Sequence, residues 1–276
     1  MTNKQNVPVF ILAGGLGTRI SEETELKPKP MVDVGQIPLL VHLMRWYYAH
    51  GFHDFVICAG YKAWEIKSYF LTYEFRMNHL VVDHRDPANA SPPSTFGTNA
   101  AQERWRVRVI DTGLECMTGG RVARALDEID AGGTIEDFAL TYGDGLSDVD
   151  LDAEFAFHKR HGRLGTILGV QMLARFGELG YGADGVVSSF LEKPESKQGL
   201  INGGFFFFRR DFRRYLDAGP DCVLERAPLA KLVADNQLML YPHRGFWQPM
   251  DTLRDRTLLQ GLWDSGRAPW KVEPAT

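Results

Sequence analysis

The chain has 276 residues, 44% of them hydrophobic, and a formal net charge of −4. It is long and apolar enough to bury a sizeable core, and its slightly acidic balance excludes a surface built mainly to bind nucleic acid or anionic lipid. Cys58, Cys116 and Cys222 are too widely spaced for a CxxC metal pair or a disulfide scaffold, and no run of about 20 apolar residues suits a membrane span, so the expectation is a cytoplasmic protein in a reducing compartment.

Short apolar runs alternate with amphipathic stretches from the N-terminus onward. Residues 9–13 predict a strand, 39–48 a helix, 55–59 a strand and 62–75 a helix, which is a βαβ rhythm. Pro38 suits the first turn of its helix and Gly51 the place where one ends. Residues 85–104 turn polar and small, with Pro87, Pro92, Pro93 and Gly97, and read as a mobile excursion. Strands are expected again at 138–142 and 166–170, with a helix at 151–161 between them. Runs at 186–191, 204–208 and 238–241 add strands, 252–263 a last helix, and 268–276 a loose tail. The whole of 1–276 then reads as a single α/β domain, its parallel or mixed sheet covered by helices on both faces.

The sharpest local signal follows the first strand. Residues 12–19, Leu12, Ala13, Gly14, Gly15, Leu16, Gly17, Thr18 and Arg19, form a glycine-rich loop whose amides can approach an anion without Cβ interference. Ile20 stands where a dinucleotide fingerprint needs glycine, and the lysine–hydroxyl pair of a P-loop is absent. A tight turn that merely uses glycine is the alternative. Arg19, Lys27 and Lys29 offer three cations beside this loop, with Pro28 and Pro30 holding the arm extended.

Asp144 ends an apolar strand between Gly143 and Gly145, a good position for a magnesium ligand. Asp148 and Asp150 are better read as caps of the helix that starts near Leu151. Asp251 has two readings of equal standing: cap of the last helix, or the second carboxylate of the metal. Glu192, Lys193, Asn202 and neighbouring glycines supply the acceptor, cation and amide that a hexose phosphate needs, and Trp247 can wall a sugar ring or pack in the core.

In chain order, GGLGTR (14–19), KPKPM (27–31), the turn MTGGR (117–121), YGDG (142–145), EKP (192–194), INGG (201–204) and GFWQPMDTLRD (245–255) resemble the sugar nucleotidyltransferases. More narrowly, they resemble the bacterial glucose-1-phosphate cytidylyltransferases. The resemblance implies a mixed, mostly parallel Rossmann-like sheet and a homo-oligomer. It implies that residues 12–19 bind the nucleotide, that Arg19 and Lys29 engage its phosphates, and that Asp144 and Asp251 share Mg2+. It further implies that Arg121, Gly143 and the residue before MTGGR, here Cys116 where the family pattern has serine, line the nucleotide pocket. Lys193 would hold the sugar phosphate, with Glu192 and Asn202 facing the hexose.

The implied reaction joins CTP and α-D-glucose 1-phosphate into CDP-glucose and pyrophosphate, with Arg19, Lys29 and Asp144 carrying the chemistry. Within the class, UTP, dTTP or another phosphate acceptor is the competing reading. A non-catalytic nucleotide sensor would not need the second carboxylate, and a glycosyltransferase would bring its metal aspartates together as DxD, which YGDG lacks.

Overall fold

The computed structural model describes residues 4–15, 27–82, 93–96, 103–171, 178–181, 186–191 and 199–272. Seven strands form the central sheet: β1 (Pro8–Ala13), β2 (Asp54–Ala59), β3 (Arg106–Asp111), β4 (Asp137–Tyr142), β5 (Gly165–Val170), β6 (Ile201–Arg209) and β7 (Leu238–His243). Their spatial order is β7-β5-β6-β4-β1-β2-β3. Every pairing is parallel except the two made by β6, which runs against both β5 and β4. The sheet is therefore mixed and mostly parallel.

Alternation along the strands feeds two cores. In β1, Val9, Ile11 and Ala13 face one layer while Phe10 faces the other, and in β6 Phe205 and Phe207 part from Phe206 and Phe208 in the same way. Burial on both faces explains why such strands read as unbroken apolar runs. Helices α1 (Leu39–Ala49), α2 (Ala63–Leu71) and α5 (Leu151–His161) cover the first face. The second is covered by α4 (Thr118–Ile129) and α6 (Ala227–Ala234). A short α3 (Tyr73–Met77) follows α2, and α7 (Leu253–Asp264) is the last described helix.

Several expectations need correcting. The predicted helix at 62–75 is two helices, broken at Thr72. Pro38 precedes its helix rather than opening it, pairing as a strand residue with Asp33. Within the predicted excursion, Ser94–Phe96 pair with His79–Val81, while most of 85–104 lies outside the described residues. MTGGR is not a turn: Met117 caps α4, and Thr118 to Arg121 are its first residues. The tail is anchored in its first part, because Trp270 is fully buried and stacks on Phe246 at 5.2 Å. No described helix is long and apolar enough to cross a membrane.

Strand order reverses at β1, since the chain steps from β1 to β2 and β3 on one side and places β4 on the other. In such sheets the crevice beyond the carboxyl ends at the reversal is where ligands bind. The loop after β1 and the loop after β4 meet there, with Leu12 in register with Tyr142.

Candidate active site

A cleft of about 440 Å³ opens at this crevice, lined among others by Gly14, Gly15, Lys29, Thr118, Arg121 and Asp144. Leu12, Ala13, Cys116, Gly143 and Asp251 also line it, so ten of the sequence-derived candidates that the structure describes, Lys29 and Asp144 among them, converge on one space. A larger cavity of 680 Å³, against α2, α3 and β3, gathers none of them. The smaller cleft is the chemically credible site, since among the described residues it joins the Gly14–Gly15 peptide to paired carboxylates.

Backbone pairing brings the two distant aspartates together. Trp247–Pro249 runs antiparallel to Gly145–Ser147, with Pro249 opposite Gly145, and the Met250 N–H donates to the Asp144 carbonyl at 2.7 Å. The two readings of Asp251 are thereby separated. Thr252 caps α7, accepting from the Asp255 N–H, and Asp255 reciprocates in a full capping box. Asp251 instead turns its Oδ1 toward Lys29. Asp150 caps α5 as expected, whereas Asp148 lies 3.0 Å from His243 Nε2 and is not the cap.

Lys29 Nζ donates to Asp144 Oδ2 and to Asp251 Oδ1, each at 2.6 Å. Burial pulls the Lys29 pKa down, but the two carboxylates more than offset it, and the net direction is up. The ammonium therefore stays charged between them. Two carboxylates converging on one cation form an all-oxygen donor set, hard in character, which fits magnesium with water and phosphate oxygens completing its shell. Lys29 reaches this point from a single 3-10 turn, Lys29–Met31, so only Pro28 of the expected extended arm is extended. Lys27 points elsewhere, to Asp33 at 2.8 Å.

Each glycine of the cleft has its own reason. A Cβ on Gly143 would lie 2.7 Å from the Leu12 carbonyl and 2.9 Å from Pro30, so only glycine lets β4 pass the Lys29 turn. A Cβ on Gly14 would lie 2.2 Å from Arg121 Nη1, whereas one on Gly15 would meet nothing within 4 Å. Gly14 thus makes room for a side chain, and Gly15 leaves open space toward the cleft.

Arg121, for which the resemblance implies a nucleotide contact, lines the cleft and also braces its walls. Its Nη1 donates to Thr112 Oγ1 and to the Ala59 and Gly113 carbonyls, and its Nη2 to the Gly14 and Leu114 carbonyls, at 2.7 to 3.2 Å. The guanidinium ties together the loops that follow β1, β2 and β3. Beside it, the Gly119 and Gly120 amides at the start of α4 are already satisfied by the Cys222 carbonyl.

Where the sequence places the sugar side, Asn202 Oδ1 accepts the Gly204 N–H at 2.8 Å and Asn202 Nδ2 donates to the Tyr142 hydroxyl at 3.1 Å. Trp247 is half-buried and donates its indole N–H to the Gly203 carbonyl at 2.7 Å, which sets it beside Asn202. Leu16, Gly17, Thr18, Arg19, Glu192 and Lys193 lie outside the described residues. Sequence reasoning missed Tyr142, Thr118 and Glu225, which the structure joins in one hydrogen-bonded chain. The helical spacing of Val122, Ala123, Leu126 and Ile129 would have revealed α4 and hence the setting of Thr118, but nothing local marks Glu225. Among the described residues one cluster has metal-binding spacing, His50, Asp150 and Asp152, but it belongs to the ends of α1 and α5, outside the cleft lining.

The family described as Nucleotidyl transferase matches residues 8–248. Glucose-1-phosphate cytidylyltransferase of Salmonella typhimurium is 43% identical over 271 residues, 95% of this chain and 98% of that one. Mannose-1-phosphate guanyltransferase of Gibberella zeae is 26% identical over 257 residues, 91% of this chain and 62% of that one. Among solved structures, HddC from Yersinia pseudotuberculosis complexed with GMP-PN aligns with a TM-score of 0.62 at 22% identity, over 93% of this chain and 99% of that one. At that identity the likeness speaks for the fold alone. With a glycine loop, a lysine and two carboxylates gathered at the strand-order reversal, and with these matches across nearly its whole length, the chain belongs to the nucleotidyl transferase family and is a nucleotidyltransferase related to glucose-1-phosphate cytidylyltransferase.

Proposed function

We propose that the protein transfers the cytidylyl group of CTP to α-D-glucose 1-phosphate, forming CDP-glucose and pyrophosphate. The observation that carries this reading is the Lys29 ammonium held between Asp144 and Asp251 beside the Gly14–Gly15 peptide. Together with the near-full-length Salmonella relative, it favours transfer of a nucleotidyl group over simple nucleotide binding.

A sugar phosphate oxygen attacks the α-phosphorus, the new P–O bond forms, and the bond to the bridging oxygen of the β-phosphate breaks. A phosphate monoester with a second pKa of about 6 is already largely a dianion at neutral pH, so no side-chain base is needed. The protein must align the two anions and offset their repulsion. Lys29 brings a positive charge to the phosphates, and the glycine loop brings amides to their oxygens. Arg19 by its motif adds a forked cation, and Lys193 by its motif holds the sugar phosphate, with Glu192, Asn202 and Trp247 on the hexose side. Asp144 and Asp251 would hold magnesium, which supplies neutralisation of phosphate charge when bound. The free thiols Cys58, Cys116 and Cys222 suit the reducing cytoplasm.

A pyrophosphate-release screen of CTP, UTP, dTTP and GTP against several sugar 1-phosphates tests the reading. The expected result is release with CTP and glucose 1-phosphate, dependent on magnesium. Faster release with another triphosphate, or none with any pair, would overturn it.

A further inference from the structure

Between the nucleotide cleft and Asn202 lies a continuous chain of side chains whose proton positions follow from valence alone. Tyr142 Oη donates to Glu225 Oε1 at 2.6 Å, and Thr118 Oγ1 donates to Glu225 Oε2 at 2.7 Å. A carboxylate only accepts, so both hydroxyl hydrogens must point at Glu225. The Tyr142 oxygen is then left as an acceptor, which is the role the Asn202 amide requires of it. Asn202 cannot flip, because its Oδ1 accepts the Gly204 N–H. Thr118 likewise accepts the Leu224 N–H at 2.9 Å. Gly204, at φ +77°, lets the Tyr142 ring seat against it, since a Cβ there would lie 2.3 Å from Cδ2.

We infer that Glu225 is a positioning residue that couples the two halves of the site, setting Thr118 on the nucleotide side and, through Tyr142, Asn202 on the sugar side. Thr118 lines the cleft and is left with a single acceptor lone pair for a substrate, which suits a donor such as an exocyclic amine or a ribose hydroxyl. Asn202 keeps one amide hydrogen, which suits a sugar hydroxyl acting as acceptor. A glutamine at 225 would be nearly isosteric but would place a donor against Tyr142 or Thr118 and reverse the polarity of that arm. The role assigned to the two arms rests on the transferase reading above.

Glu225→Gln, Tyr142→Phe and Thr118→Val test it. Glu225→Gln raises the KM for both CTP and glucose 1-phosphate by roughly tenfold, the worth of one polar contact each. Tyr142→Phe raises only the sugar phosphate KM, and Thr118→Val only that for CTP. The double variant Glu225→Gln/Tyr142→Phe shows no further rise in the sugar phosphate KM. If the wild type prefers another substrate pair, the same split is read with that pair. The side-chain amide resonance of Asn202, assigned by its loss in Asn202→Asp, shifts in Glu225→Gln whatever the substrate. It therefore separates failure of the coupling from failure of the transferase reading. An unmoved Asn202 resonance, or a Glu225→Gln variant that changes neither KM, overturns the inference.

Discussion

Lys29 enters the cleft from a 3-10 turn and places its ammonium between two carboxylates, whereas Arg121 enters it from α4 and turns its guanidinium onto four carbonyls and a hydroxyl. Both are cations lining one space, and their partners give them opposite duties. A charge facing carboxylates can be exchanged for another cation, because the carboxylates still have a use for it. A charge saturated by backbone dipoles cannot leave without orphaning them. A cation on a cleft wall is therefore assigned by what it already touches.

The largest effect should come from the carboxylate side. Asp144→Asn should slow pyrophosphate release by on the order of 10² to 10³, about 2.7 to 4 kcal/mol, with an unchanged circular dichroism spectrum. Full activity in that variant would break the assignment of the Lys29 region as the reacting end. Arg121→Ala should cost about 3 kcal/mol in denaturant unfolding, since several buried oxygens lose a donor. Lys at 121 should recover only part of this, because an ammonium cannot span the same fork. Wild-type stability with only a raised KM for CTP would make Arg121 a substrate contact after all.

Lys29→Met sharpens the contrast by removing the exchangeable cation. Magnesium should then raise the thermal midpoint by a few degrees more than in the wild type, about 2 kcal/mol of linkage at saturating metal. Equal shifts would mean that ammonium and metal do not compete. A last prediction, small per pH unit, concerns a buried carboxyl with neither kind of partner. Glu154 is fully buried, both its oxygens lack a hydrogen-bond partner among the described residues, and burial raises its pKa to about 8. Between pH 4.5 and 8 the folded chain keeps a proton that the unfolded chain has lost, so stability falls as pH rises, by up to about 1.4 kcal/mol per pH unit. Glu154→Gln should flatten that slope in urea titrations across the window, and an unaltered slope would show Glu154 ionised in the fold.

Much of the fold was readable because strand and helix periods are local. The run Pro8–Ala13 and the helix Leu151–His161 sit within a residue of where apolar spacing and caps put them. Thr118–Ile129 was missed because its two glycines look like turn residues. In the fold they are small for a tertiary reason: a Cβ on Gly119 would lie 2.6 Å from Cys222 Sγ, and one on Gly120 2.4 Å from the Gly219 carbonyl. The order β7-β5-β6-β4-β1-β2-β3, with one strand reversed, depends on pairings between strands far apart in the chain.

The sequence by itself determined the residue types of the site: a glycine loop, Lys29, Asp144, and a second aspartate with two possible duties. These are carried by short motifs, in which a residue's chemistry and its immediate neighbours are both on the page. Only the tertiary structure decided that Asp251 serves the cleft while Thr252 caps the helix, that Lys27 leaves for Asp33, and that Arg121 braces loops. It alone joined Glu225 to Tyr142 and Thr118. The reason is geometric: hydrogen bonds form within about 3 Å in space, and their partners here stand from 3 to 222 residues apart along the chain.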